Sequence, residues 1–226
     1  MINKIGTHLK DIETPELIID LDILESNVNT VSKVYKDSHL KMRAHTKNLK
    51  SPYLARKQVE AGGSNGGVCT AKVSEAEVMV EGGFDNILIA NQVVSDDKIE
   101  RLCSLAKFAD MKVGIDNIDN LNNLSKFAIK HNVILGVLVE INTSMFRCGV
   151  RSSDHAVELA KRAVDLEGIS FKGVMSHQSI KGYTTEEERW KIGEEYLDIC
   201  LESKRAIEEA GMDVEIVSTG ETFTFD

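Results

Sequence analysis

The segment KMRAHTKNLK, residues 41–50, has the alternating pattern of a β-strand. Side chains alternate between the two faces of a strand, so Arg43, His45 and Lys47 share one face. An edge strand with one solvated face would explain this pattern. A strand that directs a reactive amine into a pocket would explain it equally well. The other segments of the chain decide between these two interpretations.

The composition is that of an ordinary globular protein. The chain has 226 residues, 42% of them hydrophobic and 28% charged, with a formal net charge of −9. This charge disfavours nucleic acid or an anionic membrane as a partner, because both attract basic surfaces. No apolar run reaches the ~18 residues of a membrane span, and the first residues lack the apolar core of a signal peptide. We therefore expect a cytoplasmic protein.

The cysteines and histidines show no metal-binding spacing. The chain has 4 cysteines, none in a CxxC pair, and 6 histidines, none in an HExxH or HxxxH pair. Such scattered thiols are typical of reduced residues in a reducing compartment. We expect neither a disulfide framework nor a metal site built from this chain alone.

Short apolar runs alternate with amphipathic segments along almost the whole chain. Capping boxes predict helix starts in SEAE (74–77) and TEEE (185–188), and Gly211 predicts the end of the last helix. Strict alternation predicts right-handed βαβ units, a parallel sheet and one continuous domain. The predicted strands are 16–20, 41–47, 66–71, 86–91, 112–116, 134–142, 171–177 and 214–220.

The polar ends of these strands favour a barrel over an open sheet. A (β/α)8 barrel of the TIM type assembles its active site from the carboxyl ends of many strands, whereas an open doubly wound sheet uses one switch point. No GxGxxG follows the first strand, and AGGSNGG (61–67) precedes a strand, so a dinucleotide site is not expected. The polar residues at or next to the predicted strand ends are Lys47, Thr70, Lys72, Asn91, Asp116, Asn142, His177, Ser218 and Thr219.

Six motifs give the sequence a specific resemblance. They are TPELIIDLDILESNV, RAHTKNLKSPYLA, VSEAEVMVEGGFDNILIAN, VEINTSMFRCGV, FKGVMSHQ and STGET, in this order. With them the sequence resembles the fold-type III pyridoxal-phosphate (PLP) enzymes, whose members include alanine racemase. It is most similar to the D-threonine aldolase and D-serine dehydratase branch. The resemblance covers residues 14–222 and implies a PLP-binding barrel with pyridoxal 5'-phosphate as its cofactor.

The resemblance identifies Lys47 as the lysine that forms a Schiff base with PLP. The residue type fits, because neighbouring positive charge and partial burial favour the neutral amine that attacks a carbonyl. On this interpretation the face of Arg43, His45 and Lys47 points into a cofactor pocket. The simpler interpretation is a solvated lysine, which is what we expect of Lys41 and Lys50.

Two further residues are implied as cofactor contacts. Arg147 matches the arginine that hydrogen-bonds the phenolic oxygen of the cofactor, and arginine suits this role because it stays cationic with fixed donor geometry. His177 matches a residue that stacks on the pyridine ring and could also transfer a proton. A surface arginine and a satisfied histidine at a strand end are the structural alternatives. Asn142 and Ser144 replace the Asp and Gly that are common in relatives.

The resemblance places the cofactor phosphate at STGET, residues 218–222. Backbone amides and hydroxyl groups suit a dianion, and barrels repeatedly bind phosphate after strands seven and eight. Small residues also form ordinary turns. Glu221 departs from the family pattern, and its carboxylate would be unfavourable beside phosphate unless it pointed away. The predicted phosphate-binding residues are Ser218, Thr219, Gly220 and Thr222.

Counting from residue 41, the sequence supplies seven barrel strands and ends at Asp226 before an eighth. The resemblance implies that an eighth strand and a C-terminal β-rich domain carry further cofactor contacts and the ligands of a divalent metal. It also assigns the segment 16–20 to that second domain. We therefore expect residues 1–226 to form an incomplete PLP-binding barrel, either as a fragment or completed by a partner chain. Alone, such a barrel would lack part of the catalytic apparatus.

The function implied by the resemblance is a PLP-dependent lyase that acts on D-β-hydroxy amino acids. An aldolase would cleave Cα–Cβ to give glycine and an aldehyde, and a dehydratase would eliminate the β-hydroxyl group. The alternatives are an amino-acid racemase, with Lys47 exchanging the α-proton, and a non-catalytic PLP-homeostasis protein. A barrel that binds nothing is the structural alternative. Family members are commonly homodimers, and the helix faces do not indicate which surface would pair.

Overall fold

The computed structural model describes residues 5–225. Its centre is a seven-stranded sheet, parallel throughout, in which the order of the strands across the sheet follows their order along the chain. An open doubly wound sheet reverses its strand order at a switch point. This sheet does not reverse, as expected of a barrel wall. Its strands are β1 (Met42–His45), β2 (Ser64–Thr70), β3 (Asn86–Ile89), β4 (Asp110–Ile115), β5 (Leu135–Ile141), β6 (Ile169–Ser176) and β7 (Ile216–Ser218).

Helices connect successive strands and cover the outer face of the sheet. Fully buried Ile87, Val113 and Val137 point to this side and pack with helix residues such as Leu121 and Leu159. No helix among residues 5–225 is long and apolar enough to cross a membrane. The helices are α1 (Leu21–Tyr35), α2 (Pro52–Glu60), α3 (Val73–Glu81), α4 (Asp96–Leu105), α5 (Ile118–His131), α6 (Ser153–Asp165) and α7 (Glu186–Glu209).

A second apolar cluster lies on the inner face of the sheet. Cys69, Leu88, Leu138 and Met175 are buried together there, with Ile216 packed against them. They come from β2 and β3 on one side of β4 and from β5, β6 and β7 on the other, so the sheet must curl for them to meet. The predicted barrel wall is therefore confirmed. Among the described residues no ladder joins β7 to β1.

Charged residues fill the amino-terminal end of this interior. The Arg43 guanidinium donates to Asn86 Oδ1 at 2.8 Å, and the buried Lys112 ammonium donates to the same oxygen at 3.2 Å and pairs with Asp110. Asn86 and Asp110 begin their strands, whereas Lys47 lies beyond the end of β1. The prediction that Arg43 shares a pocket with Lys47 is therefore wrong, because Arg43 lies four residues before Lys47 and its side chain reaches the other end of the barrel.

The predicted ends of the helices were confirmed in part. Helix α7 starts after Thr185, whose side chain accepts the Glu188 amide, and Gly211 follows the end of that helix with a φ of +86°. The predicted capping box at Ser74 is wrong, since α3 starts after Lys72 and has no side-chain cap. The segment 16–20, predicted as a strand, forms no strand and belongs to no sheet among the described residues. An apolar run becomes a strand only where another strand pairs with it.

The contact between β6 and β7 depends on a glycine. Gly173 pairs with Ile216 and has a φ of +136°, a value that favours glycine. A Cβ at this position would lie 2.1 Å from the Ile216 carbonyl oxygen. Gly173 therefore lets β7 approach β6 closely.

Candidate functional site

Lys47 lies two residues beyond β1, at the carboxyl end of the barrel. Its side chain is exposed, and its Nζ forms no hydrogen bond or ion pair within residues 5–225. The Lys47 amide donates to His45 Nδ1 at 3.3 Å, which ties the backbone of the lysine to the preceding strand. Lys50, in contrast, is paired with the Glu75 carboxylate at 2.6 Å. Of these two lysines, only Lys47 offers an unpaired amine.

His45 is held neutral near this amine. Burial, and after it the charge of Lys47, lower the pKa of His45 to about 4, while Glu75 acts in the opposite direction. Its ring also hydrogen-bonds the backbone of Cys69, and positive charge on His177 lowers the pKa of His45 slightly. At neutral pH the His45 ring is therefore an uncharged acceptor for the Lys47 amide.

Lowering the pH from about 7 to about 4.5 is expected to destabilise the fold through His45. An unfolded histidine titrates near pH 6.5, so in this window the unfolded chain binds more protons than the folded one and stability falls as pH falls. We expect a loss of about 1–2 kcal/mol, reduced from the full shift because the ring is partly exposed. Urea unfolding at the two pH values measures it.

The matched variants for this measurement are His45→Asn and His155→Asn. The first removes the titrating ring, so its stability should depend less on pH than that of the wild type. The second changes an exposed histidine on α6 and should keep the wild-type dependence. Equal pH dependence in His45→Asn and the wild type would show that His45 is not responsible.

His177 follows β6 and is fixed by the loop after β5. Its carbonyl oxygen accepts hydrogen bonds from Thr143 Oγ1 at 3.1 Å and Ser144 Oγ at 3.3 Å. Burial lowers the pKa of His177, and the charges of Arg147 and Lys47 lower it further. The structure therefore brings together three predicted site residues from three different strand ends.

Arg147 lies in the same loop, next to a small cavity that His177 also lines. Its Nη2 is 3.7 Å from Glu140 Oε1, and its Nε donates to Cys148 Sγ at 3.3 Å. The contact with Cys148 is the main reason that the pKa of Arg147 is raised, and the negative charge of Glu140 adds to it. Arg147 therefore remains a cation at the mouth of the barrel.

The loop that carries Arg147 is anchored at both ends. The Asn142 amide donates to Val150 O at 2.9 Å, and the Val150 amide donates to Glu140 O at 2.8 Å. The Gly149 amide donates to Asp116 Oδ2 at 2.8 Å, so the loop is also tied to the end of β4. These backbone hydrogen bonds form even though position 142 has asparagine in place of the aspartate that is common in relatives.

The predicted phosphate segment extends from the end of β7. Thr219 Oγ1 is 2.6 Å from Ser176 Oγ, which fixes the segment to the end of β6. Gly220 has a φ of +103°, and its amide donates no hydrogen bond within residues 5–225. The Glu221 carboxylate accepts the Ile180 amide at 2.7 Å, so the loop after β6 holds it. Ser218 and Thr222 lie on either side of this turn.

Sequence analysis missed Glu140, Gln92 and Cys148. Glu140 is only 2% exposed, and it accepts hydrogen bonds from Gln92 Nε2 at 2.6 Å and Cys148 Sγ at 3.0 Å. A charged residue inside the apolar strand LGVLVEI was a signal that could have found it. Within residues 5–225 no group of three or more His, Cys, Asp or Glu side chains could hold a metal ion.

The chain is similar to proteins that are named as aldolases or dehydratases of D-3-hydroxy amino acids. A 3-hydroxy-D-aspartate aldolase from Paracoccus denitrificans is 36% identical over 223 residues, which is 97% of this chain and 57% of the relative. A D-threo-3-hydroxyaspartate dehydratase from a Delftia species is 27% identical over 96% of this chain and 57% of the relative. The crystal structure of D-threonine aldolase from Filomicrobium marinum superposes with a TM-score of 0.88 and 37% identity, over 93% of this chain and 57% of that one.

The chain spans 57% of the length of these relatives. The model of the alanine racemase N-terminal domain matches residues 19–225, nearly the whole chain. This match, the aldolase identities and the barrel wall agree with the resemblance found in the motifs. The chain therefore belongs to the alanine racemase N-terminal domain family of fold-type III PLP enzymes.

Proposed function

We propose that this chain binds PLP and provides the cofactor-binding part of a lyase that acts on D-β-hydroxy amino acids. The observation that carries the proposal is the unpaired amine of Lys47 at the carboxyl end of the barrel, with Arg147 and His177 around it. Active sites of barrels lie at this end. When bound, PLP supplies an electron sink that stabilises negative charge on an amino-acid substrate.

The chemistry of the donor set fits this cofactor. PLP presents an aldehyde, a phenolic oxygen, a flat ring and a phosphate. The described residues offer a free amine at Lys47, a guanidinium at Arg147 and a planar imidazole at His177. The turn after β7 adds hydroxyl groups and the unpaired Gly220 amide for the phosphate. Each chemical feature of the cofactor therefore has a matching donor.

The proposed role of Lys47 is to attach the cofactor and to move a proton at its Nζ. A neutral amine is needed for both tasks, and a site with two neutral histidines adds no further positive charge beside it. His45 orients the lysine through the hydrogen bond to its amide.

His177 and Arg147 would act on the ring of the cofactor. The uncharged His177 ring can stack on it, and its low pKa makes it a proton acceptor rather than a charged donor at neutral pH. Arg147 stays protonated and would hold the phenolic oxygen by a charge-assisted hydrogen bond.

The names of the relatives support the substrate class. They include an aldolase for 3-hydroxy-D-aspartate, an aldolase for D-threonine and a dehydratase for D-threo-3-hydroxyaspartate. These substrates share an amino group on a D-configured Cα and a hydroxyl group on Cβ. We therefore propose the same class for this protein. A divalent metal would be held by residues other than the described ones, since these contain no metal-binding group.

The test combines cofactor attachment with turnover. The purified chain is incubated with PLP, reduced with borohydride and analysed by mass spectrometry, and we expect one cofactor per chain at Lys47. Turnover is then assayed on D-threonine and D-3-hydroxyaspartate with and without a divalent cation. Glycine and an aldehyde indicate an aldolase, and ammonia with a 2-oxo acid indicates a dehydratase.

The same assay separates the alternatives. Racemisation without a cation would support a racemase. Attachment without turnover of any amino acid is expected both of a PLP-homeostasis protein and of a barrel that lacks the rest of a lyase. A folded chain that attaches no cofactor would contradict the proposal.

A further inference from the structure

Glu140 is a buried carboxylate in an otherwise apolar strand. All residues of β5 are buried, and Glu140 is the strand's only charged residue, with 2% of its surface exposed. A carboxylate in the barrel interior loses its hydration, so burial is costly unless hydrogen bonds and a cation compensate for it. The contacts of Glu140 should therefore indicate its role.

Both carboxylate oxygens have fixed partners. Oε2 accepts the Gln92 side-chain amide at 2.6 Å, and Oε1 accepts the Cys148 thiol at 3.0 Å. Within residues 5–225 Arg147 is the one cation within ion-pair distance, with its Nη2 at 3.7 Å from Oε1. Gln92 follows β3 and Cys148 follows β5, so the rigid wall of the barrel sets the position of the carboxylate.

Arg147 needs such a fixed partner. Its side chain is 51% exposed, and it lies in a loop in which Phe146 has a left-handed φ of +52°. A long, half-exposed side chain on a loop has many rotamers, and ordering it costs entropy. The contact with Glu140 restrains Nη2, while Nη1 has no partner within residues 5–225. One side of the guanidinium is therefore held and the other is available.

We propose that Glu140 is a positioning residue that holds the Arg147 guanidinium so that its remaining N–H groups bind the anionic phenolic oxygen of the cofactor. Gln92 and Cys148 keep the carboxylate itself in place. The inference rests on the proposed function, because Arg147 must first be a cofactor contact. It predicts that Glu140 affects cofactor binding only through Arg147.

The first test is a double-mutant cycle on thermal stability, which needs no cofactor. The variants are Glu140→Gln, Arg147→Met and the double variant. Arg147→Met leaves a buried carboxylate without its cation, so we expect its Tm to fall by about 5 °C. Adding Glu140→Gln removes the buried charge and should restore part of this loss. A double variant less stable than Arg147→Met would overturn the pairing.

The second test measures PLP affinity by equilibrium dialysis in the same variants. Glu140→Gln should weaken binding about tenfold in the wild-type background, the value of one hydrogen bond to a charged group. In the Arg147→Met background the same change should weaken binding less than about twofold, because its partner is already absent. A merely structural role would weaken binding equally in both backgrounds and would overturn the proposal.

Glu77→Gln is the matched control. This carboxylate pairs with Arg101 Nε at 2.7 Å on the helical layer, far from the strand ends. We expect no change in PLP affinity, and a tenfold loss there would overturn the specific role of Glu140.

The outcomes separate the two proposals. If the folded wild type does not bind PLP, the proposed function fails and takes the role of Glu140 with it. If it binds PLP but the losses are additive, only the role of Glu140 fails. If Glu140→Gln does not fold, the Tm of Arg147→Met tests the pairing by itself. An unchanged Tm would mean that Arg147 does not compensate the buried charge of Glu140, and it would overturn the pairing.

Discussion

Lys47→Ala is expected to abolish covalent attachment of PLP. The wild type should retain the mass of one cofactor after borohydride reduction, and the variant should lose this adduct almost completely, because the unpaired amine of Lys47 is the one whose charge acts on His177. If the wild type shows the proposed turnover of D-β-hydroxy amino acids, it should disappear with the adduct. Mass spectrometry of the reduced protein, followed by peptide mapping, measures attachment and its position.

Two variants control for charge and for location. Lys47→Arg keeps a cation at the position but cannot form the covalent bond, so it should resemble Lys47→Ala. Lys50→Ala removes a nearby lysine that is already paired with Glu75, and it should retain the full adduct. Stability should change little in Lys47→Ala, because the Lys47 side chain makes no hydrogen bond or ion pair with the described residues. A full adduct in Lys47→Ala would contradict the assignment.

Gly173→Ala is expected to destabilise the fold by about 2–5 kcal/mol. The added Cβ would lie 2.1 Å from the Ile216 carbonyl oxygen, and the φ of +136° is unfavourable for alanine. Within the described residues β7 pairs with β6 alone, so no second strand would hold it in place. We expect β7 to move away and the Tm to fall by about 5–15 °C.

The control for Gly173→Ala is Gly211→Ala. Gly211 also has a positive φ, of +86°, but a Cβ there would contact nothing within 4 Å. This variant measures the conformational cost alone, which is about 1 kcal/mol. PLP affinity should also fall in Gly173→Ala, because the turn at Gly220 follows β7 directly, and it should be unchanged in Gly211→Ala. Equal losses of stability would show that the clash with Ile216 is relieved at no cost.

The alternation of strands and helices was predictable because it depends on local patterns. Runs such as NILIAN are apolar, short and flanked by turns, and β3 forms within that segment. Strand ends were less predictable: β1 ends at His45, where its pairing with Cys69 ends, so Lys47 lies in the turn beyond it. The segment 16–20 was wrongly predicted as a strand, because strand formation depends on a pairing partner that an apolar pattern does not reveal.

The motifs marked Lys47, Arg147 and His177, and the charges of the first two act on the third in the structure. Their roles stay predictions. Arg43 was misplaced because alternation gives the face of a side chain but not the end of the barrel that it reaches. Glu140 was missed because its significance comes from Gln92 and Cys148, and Gln92 is distant in the sequence.

The layered interior of the barrel has a consequence for how this protein can change. Along β5, Leu138 separates Gly136, against which Lys112 packs, from Glu140 at the site. Substitutions at the amino-terminal cluster and at the site share no contacts across this apolar layer, so their effects should add. Substitutions at the amino-terminal end of the barrel can therefore change thermal stability, and substitutions at the carboxyl end can change specificity. The two properties can be selected independently.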